Sequence, residues 1–149
     1  GCFLIYFIIG HLEFLNCAKS KCDFLIVALC PDDMVEKYKN KKPIIPFEQR
    51  KKILEHLDCV DKVVTQISTN RMVEFDKYKF DIYFHGEDGF EFDKNTGNYD
   101  NLLKQNIIVD YIPRKLDIST TNIINKNYES GINLHLNVRA IMCIIILVD

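Results

Sequence analysis

Several large classes of protein are excluded by features that the sequence does not have. Its six cysteines include no C-x-x-C pair, so neither a zinc ribbon nor a thioredoxin-like redox site is indicated. Its longest uninterrupted apolar runs, residues 2–9 and 140–148, are far shorter than the roughly 20 residues that span a bilayer. The formal net charge of −2 excludes a strongly basic protein that binds nucleic acid over its whole surface.

The composition that is present is typical of one globular domain. The chain has 149 residues, of which 48% are hydrophobic and 27% are charged, and a domain of this length has one core. We interpret the cysteines as free thiols, which predicts a cytoplasmic protein. Residues 131–149 do not continue the preceding pattern. They are either a last apolar element that docks on the domain or a sequence outside the fold.

Strand and helix signals alternate along the chain. Segments rich in β-branched and aromatic residues predict buried strands at residues 3–9, 24–29, 60–65, 80–84 and 107–112. Helical patterns lie between them at residues 11–21, 46–57, 70–77 and 98–104. This alternation predicts an α/β fold, a Rossmann-like parallel sheet of about five strands with helices on both faces.

Ligands of such sheets bind beyond the carboxyl ends of the strands, which directs attention to four loops. The first holds Gly10 and His11 at a predicted helix start, where unpaired N–H groups and an imidazole suit a phosphate. An isolated histidine at a helix start is, however, more often a cap or a surface residue. The second loop carries Lys39 among three other lysines, and this density of cations suits either a polyanionic ligand or a solvated surface.

The third and fourth loops carry polar groups of other kinds. The third is the segment His85-Gly86-Glu87-Asp88, whose carboxylates are able to accept from a ligand amine, hold a metal or cap a loop. The fourth begins at Arg114, whose guanidinium suits phosphate, and continues to a serine and threonines at residues 119–121 that suit a helix cap. An ordinary capped helix with a surface arginine explains the fourth motif equally well.

Taken in order, these motifs resemble the cytidylyltransferase family over roughly residues 10–125. The matching segments are residues 10–15, strand 24–29 with Asp32 after it, residues 39–43, 46–50, 60–63 and 85–88, and Arg114 followed by Ile118-Ser119-Thr120-Thr121. His85-Gly86 and the longer loop through residues 93–99 are most similar to the ethanolamine-phosphate branch. The resemblance implies a nucleotide-binding, cytidylyltransferase-like domain over residues 1–130 and an apolar tail over residues 131–149.

The resemblance implies an enzyme of phospholipid synthesis that transfers the cytidylyl group of CTP to a phosphorylated alcohol, most closely ethanolamine phosphate, and releases pyrophosphate. It implies Mg²⁺ held by phosphate oxygens, with no protein side chain assigned as a metal ligand. It also implies no nucleic-acid partner, and either a homodimer or pairing with a second cytidylyltransferase domain. The implied catalytic residues are His11, Lys39 and Arg114. The implied nucleotide-binding residues are Ile8, Gly10, His11, Lys39, His85, Gly86, Glu87, Asp88, Arg114, Ile118, Ser119, Thr120 and Thr121.

Departures from the family pattern bear on activity. Ile8 stands where the resemblance places the first signature histidine, Asp58 stands where an arginine is usual, and the loop after Arg114 lacks a threonine, a glutamate and a glycine. Either residues 1–9 and 132–149 are not the native continuation of this fold, or the domain has lost catalysis and kept the scaffold. The second case predicts a structural or regulatory role. A third interpretation is an adenylyltransferase of the same superfamily.

Overall fold

The computed structural model describes residues 2–40, 42–113 and 142–147, with the backbone alone described for residues 2–9, 38, 39 and 142–147. The helices in these ranges are α1 (Cys2–Lys19), α2 (Asp32–Lys39), α3 (Phe47–Glu55), α4 (Arg71–Tyr78), α5 (Phe90–Asn95) and α6 (Asn98–Lys104). The strands are β1 (Phe24–Leu29), β2 (Lys62–Thr65), β3 (Ile82–Gly86), β4 (Ile108–Ile112) and β5 (Met142–Leu147). A 3₁₀ turn, Glu87–Gly89, joins β3 to α5.

The described strands run parallel in the spatial order β2-β1-β5-β3-β4. Strands β1 and β2 form one parallel pair, and β3 and β4 form another. Strand β5 lies between the pairs, with Ile145 opposite Val27 of β1 and Phe84 of β3. Residues 142–147, which lie in the predicted apolar tail, are therefore part of the sheet.

Helices cover both faces of the sheet, because alternate side chains of β1 belong to two separate apolar cores. The odd-numbered residues of the range 25–29 pack with Leu15 of α1 and Leu54 of α3. The even-numbered residues of that range pack with Leu102 of α6 and with partly buried side chains of α4 on the opposite face. The predicted α/β class, with parallel strands between helices, is confirmed.

The strand predicted at residues 3–9 is wrong, because these residues belong to helix α1. A short apolar run cannot be assigned to a strand or a buried helix from its periodicity alone. No proline interrupts residues 2–19, and the one glycine in this range, Gly10, costs a helix only about 1 kcal/mol relative to alanine. The central position between β1 and β3, meanwhile, is occupied by β5.

The helix predicted at residues 11–21 begins nine residues earlier than expected, at Cys2, and ends at Lys19. The other predicted elements in the described ranges are observed with their ends shifted by two residues or fewer, and the sequence did not indicate α2, α5 or β5. The cysteines whose side chains are described carry thiols and not disulfides, as predicted. Among the described residues, no helix is both long enough and apolar enough to cross a bilayer.

Candidate functional site

The topology places the candidate site at the carboxyl edge of the sheet, where β5 lies between β1 and β3. From β1 the chain continues through α3 on one face of the sheet, and from β3 it continues through α6 on the other face. Connections that diverge to opposite faces leave a crevice at this edge, and open α/β sheets bind their ligands there. The start of α2 and the turn Glu87–Gly89 border this crevice.

On the β1 side of the crevice, a buried arginine of α3 holds in place the segment that follows β1, residues 30–46. Arg50 is 7% exposed, and its Nη2 donates to Asp32 Oδ1 at 2.6 Å and to the Cys30 carbonyl at 3.0 Å. Its Nε donates to the Ile45 carbonyl at 3.0 Å, and Asp32 Oδ2 accepts from the Phe47 N–H at 3.1 Å. Partial burial opposes the charge, but these donors hold the pKa of Asp32 below its ordinary value. Arg50 is thus a structural cation.

We expect Arg50→Lys to lower the free energy of unfolding by about 1.5 to 3 kcal/mol, measured by urea denaturation. An ammonium keeps the charge but cannot reproduce the planar fork that reaches three acceptors in the loop. The reverse exchange at an exposed position of the same helix, Lys52→Arg, should change stability by less than about 0.5 kcal/mol. Equal losses in the two variants would contradict this role of the guanidinium.

On the β3 side, the predicted third motif lies at the carboxyl edge. His85 and Gly86 are the last residues of β3 instead of a loop, and Glu87 and Asp88 begin the turn beyond it. Both carboxylates are exposed, whereas the His85 side chain is 12% exposed. The structure therefore brings this motif and Asp32 to the same edge, on opposite sides of β5.

Behind His85 lies a buried polar cluster that the sequence did not indicate. Its centre is Asp93 of α5, which is fully buried and accepts from side chains on β3, β4, α4 and α6. Asp93 Oδ2 lies 3.0 Å from His85 Nδ1 and 3.1 Å from each of the Tyr83 and Tyr111 hydroxyls, and Oδ1 lies 3.3 Å from Arg71 Nε and from Asn98 Nδ2. No regular spacing along the chain relates these residues, so no sequence pattern pointed to the cluster.

The cluster keeps the Asp93 carboxylate ionised. Burial alone would raise the pKa of Asp93, but the hydrogen bond from His85 and the charge of Arg71 hold it below the ordinary value. Burial and the neighbouring carboxylate raise the pKa of Tyr111, so its phenol stays protonated and donates. Asp93 is therefore a fixed acceptor.

Three aromatic rings lie together at the same edge. Phe90 begins α5, Tyr99 lies in α6 and Tyr111 lies in β4, with ring centroids 5.2 to 6.3 Å apart. The Lys94 ammonium lies 5.6 Å from the centroid of the Phe90 ring, within the range of a cation–π contact. This aromatic cluster lies next to Asp93, whose Oδ2 accepts from the Tyr111 hydroxyl.

The prediction that Gly10 and His11 open a helix is wrong. Helix α1 begins at Cys2, which makes His11 its tenth residue, and only the first four N–H groups of a helix lack partners within it. No neighbouring atom lies within 4 Å of where a Cβ on Gly10 would be, so no close approach requires glycine there. Nucleotide binding by His11 and by Ile8, which lies on the same helix, stays a prediction. It no longer has the support of a phosphate site at a helix N-terminus.

The remaining predicted site residues are described in part or not at all. Lys39 is the last residue of α2, and only its backbone is described. Five predicted residues and the helix expected to begin near them lie outside the described residues: Arg114, Ile118, Ser119, Thr120 and Thr121.

Within the described ranges, no three His, Cys, Asp or Glu side chains are grouped to hold a metal ion. Mg²⁺ bound through substrate phosphates requires only one or two carboxylates from the protein. The exposed carboxylates of Glu87 and Asp88 are oxygen ligands of this kind. The donor set at the crevice therefore fits phosphate-bound Mg²⁺.

Parallel strands between two layers of helices, with a crevice at the carboxyl edge, define a doubly wound α/β domain. The family model described as cytidylyltransferase-like matches residues 7–126, which is most of the chain. The chain belongs to this cytidylyltransferase-like family, as the sequence motifs indicated.

Curated relatives support the same family. Glycerol-3-phosphate cytidylyltransferase of Staphylococcus aureus is 34% identical over 120 residues, which cover 80% of this chain and 85% of the relative. The enzyme of the same name from Bacillus spizizenii is 35% identical over 115 residues, covering 76% of this chain and 83% of the relative. Neither is an ethanolamine-phosphate enzyme, so that branch stays a prediction.

A solved structure supports the fold alone. The lipopolysaccharide core biosynthesis protein of Thermoplasma volcanium matches 72% of this chain and 85% of its own, with a TM-score of 0.57 and 21% sequence identity.

Proposed function

We propose that this chain binds CTP and transfers its cytidylyl group to the phosphate of a phosphorylated alcohol, with release of pyrophosphate. Membership of the cytidylyltransferase-like family over residues 7–126 is the observation that carries the proposal. The crevice supports it, because Asp32 on one side and the His85–Asp88 segment on the other lie where such folds bind nucleotides.

In the proposed reaction, a phosphate oxygen of the acceptor attacks the α-phosphorus of CTP and pyrophosphate leaves, without a covalent enzyme intermediate. The protein's contribution is positioning and charge stabilisation. Lys39 would neutralise the α-phosphate, and Arg114 with Ser119 and Thr120 would bind the triphosphate. Bound Mg²⁺ would neutralise phosphate charge, with Glu87 or Asp88 as its protein ligand.

Different observations support two acceptors. The curated relatives support glycerol 3-phosphate by their names. The rings of Phe90, Tyr99 and Tyr111 support ethanolamine phosphate, because aromatic faces attract an ammonium group that glycerol 3-phosphate lacks. We propose ethanolamine phosphate, and a comparison of kcat/KM for the two acceptors tests this choice. A higher kcat/KM for glycerol 3-phosphate would identify glycerol 3-phosphate as the acceptor and leave the proposed reaction class unchanged.

We expect Lys39→Ala to weaken CTP binding by about 1.5 to 3 kcal/mol, the scale of a charge-assisted hydrogen bond. Isothermal titration with CTP and Mg²⁺ measures the effect, and Lys51→Ala in α3 is the matched control that should leave affinity nearly unchanged. Equal losses would indicate a diffuse cationic field instead of a phosphate contact. If the unaltered chain bound no CTP, with or without Mg²⁺, the proposed function would fail.

One observation favours a second candidate function, a non-catalytic domain that pairs with an active copy. Helix α1 runs unbroken through Ile8 and Gly10, so the segment in which the resemblance places the signature histidine is helical. A helix interior has no N–H groups available for a phosphate. Formation of CDP-ethanolamine or CDP-glycerol by this chain alone would exclude this candidate.

A further inference from the structure

We infer that Asp93 is a positioning residue that holds the His85 imidazole in one tautomer, leaving Nε2 to accept a hydrogen bond from a hydroxyl or amino group of a bound substrate. The inference rests on the proposed function only for the identity of that substrate. The contact that carries it is the 3.0 Å distance between His85 Nδ1 and Asp93 Oδ2.

The Asp93 carboxylate is itself held in place. Besides His85, four side chains donate to its two oxygens: Arg71, Tyr83, Asn98 and Tyr111. Arg71, Tyr83 and Asn98 are each at most 2% exposed, so these donors cannot exchange freely with water. Because these four partners fix the Asp93 carboxylate, the direction of the fifth hydrogen bond, which the carboxylate receives from His85, is fixed as well.

The turn after β3 restricts the same ring from another side. A Cβ on Gly89 would lie 1.9 Å from His85 Nδ1 and 2.0 Å from Cε1, so the Gly89 backbone packs directly against the imidazole. The φ of Gly89 is −83°, which any residue adopts, so space and not backbone conformation requires the glycine. The Tyr83 and Tyr111 rings lie 5.8 and 6.3 Å from the imidazole, centroid to centroid.

The tautomer follows from the chemistry of the pair. An ionised carboxylate only accepts, so His85 Nδ1 must carry the hydrogen, and Nε2 of the neutral ring then has a lone pair. A buried aspartate that orients a histidine in this way is a known means of selecting one tautomer. A phosphate oxygen offers no hydrogen to that lone pair. The substrate group that it accepts from is therefore a hydroxyl or an amine, on either the nucleoside of CTP or the acceptor alcohol.

The first test observes the ring in the ligand-free protein. Long-range ¹H–¹⁵N spectra of histidine-labelled protein distinguish the two tautomers, and loss of the signals in His85→Gln identifies His85. We expect the Nδ1–H tautomer in the unaltered chain and its loss in Asp93→Asn, whose amide is able to donate to Nδ1. Tyr111→Phe is the matched control: it removes another donor from the same oxygen and should leave the tautomer unchanged.

The second test observes the substrate. We expect His85→Gln, Asp93→Asn and Gly89→Ala each to weaken the same ligand by about tenfold, the scale of one lost hydrogen bond. Titration of CTP and the KM of the acceptor show whether the partner group belongs to the nucleotide or the alcohol. Gly89→Ala displaces the ring while keeping the Asp93–Arg71 pair, so the test still applies if Asp93→Asn fails to fold.

The outcomes separate this inference from the proposed function. If His85 kept its tautomer in Asp93→Asn, the positioning role would be wrong even in an active enzyme. If the tautomer changed and none of the three variants altered CTP or acceptor binding, the substrate role of Nε2 would be wrong. A locked Nδ1–H tautomer that depends on Asp93 would support the positioning role even in a chain that transfers no cytidylyl group.

Discussion

Replacing Arg71 by leucine is expected to lower the free energy of unfolding by about 3 to 5 kcal/mol, the usual cost of removing one partner of a buried ion pair. Arg71 is 2% exposed and lies beside two fully buried carboxylates. Its Nε lies 3.3 Å from Asp93 Oδ1, and Glu74 is on the next turn of α4. Leucine would leave both carboxylates without their cation. Urea denaturation followed by circular dichroism measures the loss.

Two comparisons show whether the loss comes from the unpaired charge. Lys51→Leu removes the cation of the exposed Lys51–Glu55 pair, whose N–O distance is 3.8 Å, and should cost less than about 1 kcal/mol. The double variant Arg71→Leu with Asp93→Asn should lose less stability than the sum of the single changes, because the second change removes the orphaned charge. Simple additivity would indicate that Arg71 acts only through its packing against Tyr83 and Phe92.

Turnover is expected to be at least about 100-fold slower in this chain than in the Staphylococcus aureus glycerol-3-phosphate cytidylyltransferase. The resemblance places a phosphate-binding histidine at position 8, and pre-placed donors of this kind are each worth roughly 10²- to 10³-fold in rate. Isoleucine donates no hydrogen bond. Steady-state formation of the CDP-alcohol from CTP, with ethanolamine phosphate and glycerol 3-phosphate in parallel, measures the difference.

Ile8→His is expected to raise the turnover of this chain by less than about tenfold. Residue 8 lies within helix α1, so a new imidazole would not restore the free N–H groups of a helix start. Ile9→His is the matched control, because it places the same ring one position along the same helix. A rate equal to the relative's in the unaltered chain would show that Ile8 does not occupy the catalytic position. A large increase in turnover in Ile8→His but not in Ile9→His would show that the family geometry forms around residue 8.

The sequence alone was sufficient for the fold class. A strand of a parallel sheet is covered on both faces, so nearly every side chain is apolar; β1 shows this composition throughout, and β3 shows it over residues 82–84. The helices between them have apolar spacing along one face, which places α3, α4 and α6 within two residues of their observed ends. The ordered polar motifs indicated the family, and the His85–Asp88 segment was predicted at the carboxyl edge where it lies.

Only the tertiary structure decided what occupies the centre of the sheet and what stands behind His85. Residues 3–9 and 142–147 are both short apolar runs, and their composition does not determine which becomes a helix; pairing with β1 and β3 places the second run in the sheet. Asp93 is an ordinary polar residue in the sequence. Its role comes from donors on four separate elements, and distances between separate elements are set by packing, which a linear pattern does not encode.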